Sequence, residues 1–310
     1  MTIERYTPAV APEWDRVVEA SRNGTFLHLR AYMDYHADRF RDCSLLARND
    51  HGEVTAILPA NAIGDTIYSH QGLTFGGWLM TPEADANAMM EIWERTSDFL
   101  KDSGFKRMYY KPVPHIYHKY PAEEDLYALF RAGGKLDTTL ISSAIDMSCP
   151  LGFNRTAKRY AHSAEKAGVT VGESENWDEF WDVLRDLLAE RYNASPVHTI
   201  EEIKLLHSRF PQNIKLYTAC KDGRIAAGVV IYVSDTVAHC QYIATTKEGR
   251  DGKVLPLLFQ HIIGTMTDKR YFDFGTSNED GGRTLNEGLI HQKCGFGARA
   301  IVYNSYFIDL

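Results

Sequence analysis

Residues of chemically useful type cluster in one stretch, Arg270 to Gly297, among them Asp273, Ser277, Asn278 and Lys293 in RYFDFGTSNEDGGRTLNEGLIHQKCGFG. A carboxylate can take a proton, a hydroxyl and an amide can orient a polar group, and an ammonium can face negative charge. The stretch opens as an apolar strand, Tyr271–Phe274, and stops at Gly275. A polar, Gly-rich loop (276–283) follows, then a short helical run at 285–292, with Lys293 before the turn Gly295-Phe296-Gly297. A loop at the end of a buried strand gathers backbone N–H groups and small polar side chains, as sites on α/β sheets do. The alternative is a plain strand–turn–helix connection with one solvated Asp. Asp273 alternates with Phe272 and Phe274, so it points to the other face of the strand. There it serves either as a general base or as a carboxylate satisfied by its own loop. Glu279, Glu287 and His239 are further candidates for the base.

Composition bounds the frame that must hold these residues. A chain of 310 residues exceeds one ordinary core, so two domains or one large α/β unit is expected. Hydrophobic residues at 44% and charged residues at 24% are globular values. A net charge of −7 lacks the basic bias of a non-specific nucleic-acid binder. No apolar run approaches the ~20 residues that span a bilayer, and the N-terminus carries no signal-peptide core. Five scattered cysteines without a CxxC pair read as reduced thiols, so a cytoplasmic location is expected. Cys294 reads as structural rather than nucleophilic. The 12 histidines show no metal-ligand spacing; His115 and His118 lack an acidic or Cys partner nearby, and no metal site is expected.

The elements recur in order. In the first half, helices are predicted at 12–22 and 25–40, strands at 43–48, 53–63 and 66–73, a helix near 84–102 and a strand at 105–111. In the second half, strands at 215–220, 224–233 and 236–245 precede a helix at 253–268 and the strand at 270–275. Asp65-Thr66 aligns with Asp235-Thr236, and Gln71 with Gln241, about 170 residues apart. This spacing predicts a duplicated unit, with domains at 1–148 and 149–310. Between the halves lie a strand near 138–147, a basic helix from 154, and helices near 177–192 and 199–209. The basic helix carries Arg155, Lys158, Arg159 and Lys166. It is either a solvated face or a binder of an anionic acceptor or donor phosphate.

The succession RTAKR–x5–EKAGV, DGRIAAGVV and YFDFGTS…GL…QKCGFG resembles the FemAB-type transferases, double-GNAT proteins related to the BioF2-like acetyltransferases. The resemblance covers about residues 150–300, and the first half through the repeat. It implies an α/β (α+β) fold of two tandem GNAT-like domains, each a mixed, mostly antiparallel sheet flanked by helices. The implied reaction is transfer of an acyl group from acyl-CoA, such as acetyl-CoA, to an amine of a small molecule or cell-envelope precursor. The alternatives are aminoacyl transfer from tRNA and a silent binding module. In the tRNA-dependent branch a lysine before the GFG-like turn stabilises the tetrahedral intermediate; here that position is Lys293.

Two departures stand out. Residues 172–213 leave no room for the long helical arm of several tRNA-dependent members. The stretch nearest the GNAT pyrophosphate loop is 247–253, with altered spacing. Its Gly249 and Gly252 would let backbone approach a donor phosphate, and Arg250 and Lys253 would add charge. Arg155, Lys158, Arg159, Gln241, Ser277 and Asn278 are the expected substrate contacts.

Overall fold

The computed structural model describes the backbone of residues 1–310 and every side chain except that of Tyr192. The chain divides into two compact units, Met1–Leu140 with Val302–Leu310, and Ile141–Ile301. The division lies near the expected 148/149 boundary, but the last residues return to the first unit.

In the first unit, β1 (Thr2–Arg5) is followed by α1 (Ala11–Ala20), which buries Trp14, Val17 and Val18. The helix expected over 25–40 is instead a short α2 (Arg30–Met33) between single 3-10 turns. Phe26, Leu27, His28, Tyr32 and Met33 are all buried, so no single amphipathic face exists to favour one continuous helix. Next come β2 (Leu45–Arg48), β3 (Val54–Leu58), β4 (Asn61–Ile63) and β5 (Thr66–Tyr68). The strand expected to reach Leu73 ends at Tyr68, because His70 takes a left-handed backbone with φ 60°. The unit continues with β6 (Leu79–Met80), α3 (Ala86–Asp102), β7 (Arg107–Tyr110), α4 (Glu124–Arg131) and the start of β8 (Lys135–Asp146). One antiparallel sheet has the order β1-β2-β3-β6. A second set pairs β4 with β5, β5 in parallel with β7, and β7 with the C-terminal strand Arg299–Asp309.

The second unit takes the end of β8, then α5 (Arg155–Lys166), β9 (Thr170–Glu173), α6 (Trp177–Tyr192) and α7 (Ile200–Arg209). It continues with β10 (Ile214–Lys221), β11 (Arg224–Val233), β12 (Val237–Thr245), α8 (Lys247–Asp251), α9 (Leu255–Thr265) and β13 (Tyr271–Thr276). The short pair β14 (Asn278–Glu279) and β15 (Thr284–Leu285) and helix α10 (Glu287–Gly295) complete it. The sheet order is β8-β13-β12-β11-β10-β9. All its pairs are antiparallel except β12 with β13. That parallel pair requires a crossover, and α9 supplies it. In the first unit α3 does the same between β5 and β7.

The second core forms where α9 lies on the sheet. Phe259 meets Phe272, Phe274 and Phe296 at ring-centroid distances of 6.2, 5.0 and 5.1 Å. Strand alternation puts Phe272 and Phe274 on this face and Asp273 on the opposite one.

Candidate active site

The pairing of β12 with β13 is short. Its register runs Val237↔Tyr271, Ala238↔Phe272 and His239↔Asp273, and among the described residues it goes no further. Both strands continue, β12 to Thr245 and β13 to Thr276. On its other edge β12 has a register shift: Ile231 pairs Cys240 while Val230 pairs Tyr242, so Gln241 is an extra residue. A bulge bends its strand and re-aims side chains. The sheet therefore forks, and the last rung before the fork is His239 beside Asp273.

Asp273 is fully buried. It accepts hydrogen bonds from Ser142 Oγ at 2.5 Å, from His239 Nδ1 at 2.8 Å and from the Gly275 amide at 3.1 Å. A carboxylate only accepts, so the imidazole proton sits on Nδ1, which in the neutral ring leaves the lone pair on Nε2. The side chain of His239 is 13% exposed. Gly275 allows this arrangement through its backbone, since φ 77° is a conformation that side chains with a Cβ rarely adopt.

Lys293 is buried too. Its ammonium donates to the carbonyl oxygens of Gly275 at 2.8 Å and Thr276 at 2.9 Å, and to Ser277 Oγ at 2.7 Å. Three donors meet three acceptors, so the lysine ties the turn after β13 to α10. Burial lowers its pKa to about 8, against the pull of Cys240 and Asp273. The Cys240 thiol is pushed well up, first by burial and then by the Asp273 charge. It is inert as a nucleophile.

Of the other residues singled out in the sequence, Ser277 and Asn278 join this cluster. Ser277 is buried on Lys293, and Asn278 Oδ1 accepts the Ile141 amide at 2.6 Å. Gln241 is the bulged residue itself. Glu279 is engaged with Asn286 Nδ2 at 2.7 Å, and Glu287 is exposed in the first turn of α10.

The stretch 247–253 is not an open loop but α8 and its cap. Gly249 donates to Thr246 Oγ1, Arg250 N to Thr246 O, Gly252 N to Glu248 O, Lys253 N to Arg250 O and Val254 N to Gly249 O. Those amides are engaged within the turn rather than directed at a phosphate. Gly249 serves packing: a Cβ there would lie 2.0 Å from Ala226 O. The Arg250 guanidinium donates to Thr245 O at 3.0 Å. Lys253 is exposed, at φ 52°. Arg155, Lys158 and Arg159 are exposed on α5.

Sequence reasoning passed over two partners at the fork. Ser142 comes from β8, distant in sequence from Asp273, and no local pattern marks it. Tyr242, next to the bulge, meets His198: the hydroxyl lies 2.5 Å from His198 Nδ1 and accepts the His198 amide at 3.3 Å. Burial pushes the phenol pKa up to about 12. The motif SPVHT in the loop before α7 was its only signal.

The first unit differs at the matching rung. Its parallel pair reads Thr66↔Arg107, Ile67↔Met108 and Tyr68↔Tyr109. Tyr68 and Tyr109 thus stand where His239 and Asp273 stand in the second unit. Their rings stack at 5.2 Å with 5° between planes.

Residues 152–280 match the acetyltransferase (GNAT) domain family. The chain carries a GNAT domain in a FemAB-type tandem fold. It is similar over its whole length to the crystal structure of FemX, with TM-score 0.71, 14% identity and 98% of that chain covered. It is also similar to L-PGS from Bacillus licheniformis, with TM-score 0.62 and 12% identity, over 98% of this chain and 92% of that one. A tandem GNAT protein from the clavulanic acid biosynthesis pathway gives TM-score 0.52 and 10% identity, over 99% of this chain and 98% of that chain. No curated protein sequence matches. Among the described residues, no helix is long and apolar enough to cross a membrane, and no group of three or more His, Cys, Asp or Glu side chains could hold a metal ion.

Proposed function

We propose that the chain is an N-acyltransferase whose working site is the fork of the second unit. The observation that carries this reading is the His239–Asp273 pair at the last shared rung of β12 and β13. An amine acceptor must lose a proton as it attacks a carbonyl carbon. His239 Nε2 takes that proton, while Asp273 fixes the tautomer and balances the imidazolium that forms. As the tetrahedral intermediate collapses, the donor's acyl C–O (or C–S) bond breaks, and the imidazolium returns the proton to the departing hydroxyl or thiol. Backbone groups of β12 beyond residue 239, not bonded to β13, are available to a bound acyl group and its developing oxyanion. Lys293 is a positioning residue, since its ammonium holds the 275–277 turn. The stacked tyrosines at the same rung support a non-catalytic role for the first unit.

The donor is an activated acyl or aminoacyl ester. The amides of residues 249, 250 and 252–254 are engaged within the turn, which favours an aminoacyl ester, as on charged tRNA, over the pyrophosphate of acyl-CoA. Acyl-CoA is the second reading, favoured by the GNAT match at 152–280. The acceptor is an amine of a small molecule or cell-envelope precursor. The test is a transfer assay with labelled aminoacyl-tRNA and labelled acetyl-CoA against a panel of amine acceptors, including a UDP-linked muropeptide. Transfer that is lost in His239→Ala supports the reading, and transfer that survives that change at full rate overturns it.

A further inference from the structure

A one-sided row of exposed cations lies outside the fork, on α5. The stretch 150–169 holds four Lys and Arg residues and one acid, Glu165, in a chain of net charge −7. Arg155, Lys158, Arg159, His162 and Lys166 are all exposed. At 3.6 residues per turn they fall within an arc of about 100°, along roughly 17 Å of helix. The buried residues Ala157, Ala161 and Ala164 occupy the opposite side. Small side chains there let α5 lie close on α9, and the whole cationic row faces outward.

None of the four Lys and Arg residues forms an ion pair among the described residues. Only His162 approaches Glu165, at 3.8 Å. Elsewhere on the chain exposed cations are routinely neutralised, as in Lys204–Asp178 and Arg107–Asp309. Leu151, 62% exposed, stands just ahead of the helix.

We propose that the outer face of α5 is a docking surface for an anionic lipid bilayer. A straight, single-sided row of cations fits a plane of phosphate headgroups, and Leu151 offers an apolar side chain to the interface. The acidic remainder of the protein does not cancel this attraction, because charges beyond a Debye length of about 8–10 Å are screened. The face exposes no aromatic ring for base stacking, which disfavours single-stranded nucleic acid as its partner.

The test is co-sedimentation of the full chain with phosphatidylglycerol-rich vesicles and with pure phosphatidylcholine vesicles, at low and high salt. Binding requires no turnover, so its failure is separate from failure of the proposed reaction. The expected result is binding to the anionic vesicles alone, abolished by high salt. Each cation removed weakens it about fivefold, the equivalent of roughly 1 kcal/mol. The quadruple variant Arg155→Glu, Lys158→Glu, Arg159→Glu, Lys166→Glu abolishes binding while circular dichroism and Tm stay near those of the parent. Leu151→Asp weakens binding with the charges intact. Equal sedimentation of the quadruple variant overturns the proposal. So does a folded parent that ignores anionic vesicles, whether or not it shifts a duplex RNA in a gel.

Discussion

His239 Nδ1 and Asp273 Oδ2 lie 2.8 Å apart at the last rung on which β12 and β13 pair. Two strands therefore fix the acid and the base of one pair before they separate. Asp273→Asn keeps the size of the side chain but presents an amide that can donate to Nδ1 and reverse the tautomer. Turnover is expected to fall by roughly 10²–10⁴-fold in Asp273→Asn and in His239→Ala. The double variant should be little worse than either single one, because the two act as a unit. Additive losses in kcat would show that they act separately.

In the first unit, Tyr68→Phe and Tyr109→Phe should leave turnover within about twofold of the parent, an effect below 0.5 kcal/mol in order of magnitude. A large loss in kcat would move the chemistry to that unit.

Lys293→Ala removes the group that satisfies Gly275 O and Thr276 O. A destabilisation of roughly 2–4 kcal/mol is expected, seen in urea melts, together with lower turnover. Lys293→Met separates charge from bulk. The lysine pKa is lowered from 10.5 to about 8 in the folded chain, so between these values the unfolded chain holds the extra proton. Stability from this group then rises with pH across that window, and the rise should be missing in Lys293→Met.

Asp125 behaves in the opposite sense. Burial raises its pKa from 3.8 to about 7, so the folded chain holds the proton between those values. Its contribution is fully present at low pH and is lost as pH rises toward 7. The carboxyl accepts the Tyr110 hydroxyl, which in turn accepts the Trp78 amide. Asp125→Asn should flatten the loss of Tm across this range.

Gly249→Ala would place a methyl carbon 2.0 Å from Ala226 O, a backbone atom of β11. The strand cannot yield cheaply, so a loss of about 2 kcal/mol or more is expected. A Tm equal to that of the parent would show that α8 lifts freely from the sheet, as an opening phosphate loop would need.

Much of the frame was legible because it rests on local signals. Gly and Asp at turns bounded the strands of both halves, and the alternation Phe272-Asp273-Phe274 placed the carboxylate opposite the core. The failures came where tertiary contacts decide. Residues 25–40 pack apolar groups on every side and break into turns. The 247–253 stretch has the composition of an open loop, but Thr246 caps it and Gly249 seats it on Ala226, so it coils. The burial of Lys293 was not legible because its three acceptors belong to a turn that forms only when β13 and α10 meet. Ser142 and His198 owe their places to strand order and to a loop, neither of which a local pattern announces.

Gly297 stands with its main chain against that of Gly152: a Cβ at 297, where φ is 93°, would come within 2.8–3.2 Å of Gly152 backbone atoms. Next to this seam, Asn154 N donates to Gly295 O, and its side chain caps α5 through the Ala157 amide. The outward cationic helix and the end of α10, the helix that carries Lys293, are consequently riveted together at their roots. A load applied to one reaches the other with no flexible joint in between, and lengthening the chain at either glycine would uncouple them.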